Sequence, residues 1–224
     1  MFYKDPPSEF LRMGDIVTGF VSAVPEMDEP IADKFVNYKV TVELPKLLVI
    51  ITPCCSIGDE KISVVPLEEV GLRKELFEMP YLKDDMTKIN RKMEPQKAIK
   101  PQRWATLKPE DQLDILNRPE DYQYNELFVF AEHDALPEYT VKIRSETEFN
   151  SRYYMIDFRK ATRVACKCIV SPNTKAFTEE IKQKALCSKI LELHPHVRQE
   201  LRNKIMNYYC RIPDEDAAYC DVCH

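Results

Sequence analysis

Between residues 35 and 44 (FVNYKVTVEL), Val36, Tyr38, Val40 and Val42 alternate with polar neighbours. That two-residue period predicts a strand covered on one face. Residues 47–52 (LLVIIT) are apolar without interruption and predict a strand covered on both faces; residues 62–65 follow after a Cys-Cys-Ser-Ile-Gly turn. With the β-branched run at 14–24 (GDIVTGFVSAV), four short strands joined by turns predict a small barrel. From 80 to 125 the chain becomes polar, punctuated by Pro80, Pro95, Pro101, Pro109 and Pro119. Short helices are expected at 84–93 and 109–116, as an insertion leaving the barrel.

Strand patterns return at 126–131 (ELFVFA), 139–143 (YTVKI) and 153–158 (YYMIDF), with a fourth at 163–170. The last third reads as helical. Phe177, Ile181 and Ala185 recur every four residues with Ile190 and Leu193 nearby, and after Pro195 the spacing of Val197, Leu201, Ile205 and Tyr208 continues. Two amphipathic helices forming a hairpin are expected. The division predicted is a barrel domain over 1–172, with its insertion at about 80–125, and a helical hairpin with a cysteine-containing tail over 173–224.

At 224 residues the chain buries a core without needing disulfide staples. No uncharged apolar run is long enough to span a bilayer, and the opening MFYKDPPSEFLRMGD has no apolar signal core; a soluble, cytoplasmic protein is expected, with no membrane partner. In that compartment the eight cysteines are thiols or metal ligands. A net charge of −5 argues against wholesale wrapping of nucleic acid. All four glycines lie in the first 71 residues, and neither G-x-G-x-x-G nor G-x-x-x-x-G-K-[ST] occurs, so no nucleotide cofactor is expected. H-E-x-x-H and G-x-S-x-G are absent as well.

Four groups carry candidate chemistry. Cys54 and Cys55 sit at the end of an apolar strand, where a cysteine is packed, a metal ligand or, with a histidine or cation nearby, nucleophilic. Glu132-His133-Asp134 follows another apolar strand and reads as a turn or as a source of acid–base or metal chemistry, which makes Cys55 and His133 the catalytic candidates. The tail, CRIPDEDAAYCDVCH, offers Cys220 and Cys223 as a C-x-x-C half-site and Cys210 as a third ligand for a structural zinc, the alternative being a reduced tail. Its C-x-x-C-H ending matches a haem attachment pattern, but haem attachment belongs to exported chains and no haem is expected. Finally, residues 83–108 hold eight Lys or Arg against Asp84, Asp85 and Glu94. Lys92, Lys97, Lys100 and Arg103 beside Trp104, the only tryptophan, form a candidate nucleic-acid surface, or else a solvated excursion with Trp104 tucked into the barrel.

GDIVTGF, the apolar strand LLVIIT and then KISVVPLEE together resemble the opening of the MazF/PemK family. That resemblance implies an SH3-like barrel and RNA cleavage. The family's Arg-Pro ahead of the central strand is here Pro45-Lys46, and Glu68 stands near its expected hydroxyl, so the catalytic pattern does not carry over. The whole chain is similar to a bacterial family of unassigned activity, common on mobile elements and near phage-defence genes. Its T-x-x-C-D signature falls on Thr52-Pro53-Cys54-Cys55-Ser56, with Cys55 on the cysteine and Ser56 on the aspartate. The reading is an α+β, non-enzymatic binding or adaptor protein of a mobile-element or defence system. Its expected partner is a protein from the same gene neighbourhood or nucleic acid, the alternatives being a diverged endoribonuclease or a cysteine-dependent enzyme.

Overall fold

The structure, a computed structural model, describes residues 1–8, 10–18, 22–27, 38–43, 47–53, 56–57, 61–117, 124–143, 147–165, 169–170 and 187–210. It is an α+β protein with antiparallel sheets and, among the described residues, five α-helices. The chain packs as two compact units. One comprises residues 1–69, 133–137 and 160–194; the other comprises 70–132, 138–159 and 195–224.

In the first unit the strands are β1 (Tyr3–Lys4), β2 (Ile16–Thr18), β3 (Ser22–Met27), β4 (Tyr38–Glu43), β5 (Leu47–Ile50), β6 (Lys61–Pro66) and β7 (Glu68–Glu69). The second unit contributes β8 (Leu127–Phe130), β9 (Tyr139–Ile143), β10 (Thr147–Ser151) and β11 (Tyr154–Asp157). The first unit then resumes with β12 (Thr162–Ala165), β13 (Ile169–Val170) and β14 (Cys187–Leu193). Its main sheet runs β1-β14-β2-β5-β6-β12, with β13 parallel to β14, and β3 and β4 form a separate ribbon. Among the described strands this order does not close into a barrel.

The uninterrupted apolar run of β5 is buried at every residue, as its pattern predicts. Leu48 and Ile50 pack with Val17, Ile62 and Val64, and Leu11, Ile57 and Val164 cover this core at its margin. Entry to β2 depends on Gly14, whose φ of 88° is open to glycine and strained for other residues. Its N–H donates to Ile50 O at 2.7 Å while Ile50 N–H donates to Asp15 O at 3.0 Å, which fixes the β2–β5 register.

The expected C-terminal hairpin is altered at residues 187–193, which form β14 rather than a helix end. Backbone pairing decides the matter: β14 lies between β1 and β2, with Leu191 opposite Ile16 and Leu193 opposite Tyr3. The earlier part of that expected helix lies outside the described residues. The second helix is present as α5 (Pro195–Tyr209), with Val197 and Leu201 buried.

In the second unit β8 pairs with β11 and β9 with β10, both antiparallel. The preceding residues carry α1 (Lys74–Phe77) and a 3-10 turn at Met86–Asn90, then α2 (Pro95–Ala98), α3 (Pro101–Thr106) and α4 (Pro109–Asn117). The first half of the expected polar insertion is therefore core. Leu82, Met86, Ile89 and Met93 are buried with Val70, Leu76 and Met79 against Leu127, Val129 and Met155. Asn90, buried beside them, donates through Nδ2 to Val129 O at 2.6 Å and accepts from Val129 N–H at 2.7 Å.

Candidate functional site

Prolines at 95, 101 and 109 each occupy the first position of α2, α3 and α4, where a missing N–H costs nothing and the ring presets the backbone. Trp104 N–H donates to Lys100 O at 3.0 Å, and Trp104 O accepts from Leu107 N–H at 3.3 Å and from Gln112 Nε2 at 2.9 Å. The Gln112 contact ties α4 to α3. The segment is ordered by its own hydrogen bonds, yet neither α3 nor α4 contains a buried residue. Trp104 is half-buried, Leu113 is 61% exposed and Leu116 is 43% exposed.

The charges of this segment divide into two sets. Lys97 donates to Glu94 at 2.9 Å, a contact that raises the Lys97 pKa and lowers that of Glu94. Lys100 is bonded to Glu78, and Arg91 lies 3.5 Å from Glu200. Lys88 and Lys97 each stand 5.4 Å from the ring centre of Tyr81. In contrast Lys92, Arg103 and Lys108 are exposed with no carboxylate partner among the described residues, and so are Glu110 and Asp111 at the start of α4 with no cation. Of the four cations that the sequence suggests for nucleic acid, two are already matched by the protein's own carboxylates. Continuing the count from 108 to 117 adds Glu110, Asp111 and Asp114, which dilutes the basic character further.

Sequence reasoning missed a second polar constellation, in the first unit. Lys189 Nζ, within the sheet, donates to Asp15 Oδ2 at 2.8 Å, Glu192 Oε2 at 2.9 Å and Phe10 O at 2.9 Å. Glu192 also accepts from Ser8 N–H at 2.6 Å and from Ser8 Oγ, with Arg12 at 3.5 Å and Lys4 at 3.9 Å. Asp15 Oδ2 accepts further from Arg12 N–H at 2.7 Å. Burial pushes the Asp15 carboxyl up to about 6 despite Lys189. Burial also pushes Glu192 upward, but the bonds from Ser8 and Lys189 outweigh it and hold that carboxyl down to about 2. These groups pin Lys4, Ser8, Phe10, Arg12 and Asp15 to β14, a structural assignment that follows from how fully the ammonium is enclosed.

The remaining candidates fall in separate places. Cys55 lies outside the described residues. His133 occupies a turn after β8: its Nδ1 accepts from Ala135 N–H at 3.1 Å, its carbonyl accepts from Leu136 N–H at 2.9 Å, and its ring meets Tyr3 edge-on at 5.0 Å. Cys210 is exposed just beyond α5, its N–H bonded to Met206 O at 2.9 Å. Cys220 and Cys223 lie outside the described residues, and among the described residues no group of three His, Cys, Asp or Glu could hold a metal ion. No helix among them is long and apolar enough to cross a membrane.

Comparison with protein-family models, with curated proteins and with solved structures finds no match to this chain.

Proposed function

We propose that this chain is a non-enzymatic binding or adaptor protein whose contact element is the helical segment 95–117, engaging a partner protein in preference to nucleic acid. One observation carries the reading: α3 and α4 are hydrogen-bonded into a defined arrangement but bury no residue, and they expose Leu113 and Leu116. A pair of helices, α3 and α4, that buries no residue and holds Leu113 and Leu116 exposed fits a surface awaiting a partner. The internal pairing of Lys97 and Lys100 favours protein over phosphate. A place in a bacterial mobile-element or phage-defence system, and an SH3-like ancestry for the first unit, belong to the same proposal. The antiparallel succession β2-β5-β6-β12 and the β3–β4 ribbon support that ancestry. A structural zinc on Cys210, Cys220 and Cys223 remains part of it on sequence spacing.

Trp104, as the single tryptophan, reports directly on this element. Labelled single-stranded RNA, single-stranded DNA and duplex DNA are titrated at two salt concentrations while Trp104 emission and RNA integrity are followed. The expected result is intact RNA and an unchanged emission. Salt-steep binding that moves Trp104 and is lost with Lys92→Ala and Arg103→Ala would transfer the contact to nucleic acid. Defined cuts in the RNA that depend on Lys46 or Glu68 would overturn the non-enzymatic reading.

A further inference from the structure

We infer that the partner seated on α4 is a second copy of this chain, joined through a two-fold interface in which the acidic start of α4 meets the basic flank of α3. The inference rests on the contact role given to segment 95–117. At about 100° per residue, Gln112 and Ile115 share the inner side of α4 while Leu113 and Leu116 form an outer stripe with Glu110 beside Leu113. That division agrees with their exposure, Gln112 and Ile115 being half-buried and the other three exposed. An apolar stripe bordered by carboxylates calls for an apolar surface bordered by cations.

The same segment supplies that second surface. Arg103, within α3, and Lys108, at the entry to α4, are exposed cations without a carboxylate partner among the described residues, and Trp104, half-exposed, lies between them in the chain. Glu110 and Asp111 are the corresponding carboxylates without a cation among the described residues. A two-fold interface uses each patch twice, so one contact satisfies both sets of charges and covers both leucine pairs. A partner of a different sequence would have to bring both features from elsewhere.

The test uses the full chain in sedimentation velocity, over a series from about 1 to 200 μM. A concentration-dependent dimer is expected. Arg103→Glu with Lys108→Glu, and separately Glu110→Lys with Asp111→Lys, should each weaken self-association about tenfold or more, since each sets like charges against each other twice. Mixing these two variants should restore association as a heterodimer, because every reversed charge then meets its complement. That recovery cannot come from a variant whose α4 has unfolded, and circular dichroism of each variant alone checks the helices. A wild-type chain that is monomeric throughout, or a mixture that stays monomeric, overturns the inference. RNA cleavage or nucleic-acid capture by Trp104 overturns the contact reading on which it rests, whatever the oligomeric state.

Discussion

Two charged regions of this molecule behave in opposite ways. Around Lys189 the charges are buried, Asp15 at 0% and Glu192 at 2% exposure, and the ammonium has three acceptors. Around α3 and α4 the charges are exposed, and several have no partner among the described residues. A buried charge must be paired or its desolvation is prohibitive, so a fully enclosed cluster testifies to the fold. Exposed charges are free of that demand, and their arrangement can be set by something outside the chain. Counting charged residues in the sequence does not distinguish the two; only their partners do.

The most damaging way to probe this contrast is Lys189→Met. It leaves Asp15 and Glu192 buried together without the cation they share, and unfolding in denaturant should show a loss of about 3–5 kcal/mol. Asn90→Ala probes the second unit in the same manner. It strips both bonds from Val129 N–H and O, with an expected loss of about 2–4 kcal/mol by the same measurement.

A third probe is pH. Lys204, buried on α5 with its Nζ donating to Ile89 O at 2.7 Å, is pushed by burial down to about 7, with Glu126 opposing. Its ordinary value, which holds in the unfolded chain, is 10.5. Between those values the unfolded chain holds a proton that the folded one has released. Stability should therefore rise with pH across that window, by at most about 1.4 kcal/mol per pH unit, and the full cost stands below it. Lys204→Met should remove this slope from a series of urea titrations. Asp15 works in the other direction. With its carboxyl raised to about 6 from 3.8, its ionisation costs stability as pH climbs through that interval, whereas the contribution of Glu192 is lost as pH falls from 4.5 toward about 2.

Much of the frame was legible in the chain. Strand β5 announced itself because its apolar run is too short for a buried helix and is bounded by Pro45 and Pro53, and β9 because its alternation survives in its burial. Helix α4 was readable from Pro109 and its spaced leucines. Strand β14 was not, because Ile190 and Leu193 sit three apart, a spacing that also suits a helix, and the pairing with β1 and β2 is non-local. For the same reason the Lys189 cluster escaped: its carboxylates and hydroxyl come from opposite ends of the chain. The pairing of Lys97 with Glu94 was available from their three-residue separation, whereas that of Lys100 with Glu78 required the fold. The core role of residues 82–93 was hidden by the lysines interleaved with Leu82, Met86, Ile89 and Met93.

The smallest expected effect is the most direct test of the claim that α3 and α4 serve contact and not stability. Leu113→Asp combined with Leu116→Asp is compared with wild type by denaturant unfolding, at a concentration low enough that both are monomeric. With both side chains largely exposed, the double variant should differ by no more than about 1 kcal/mol, most of it the lower helix propensity of Asp. A loss of about 2 kcal/mol or more, of the size seen when buried leucines are removed, would place α4 in the folding core and contradict the account.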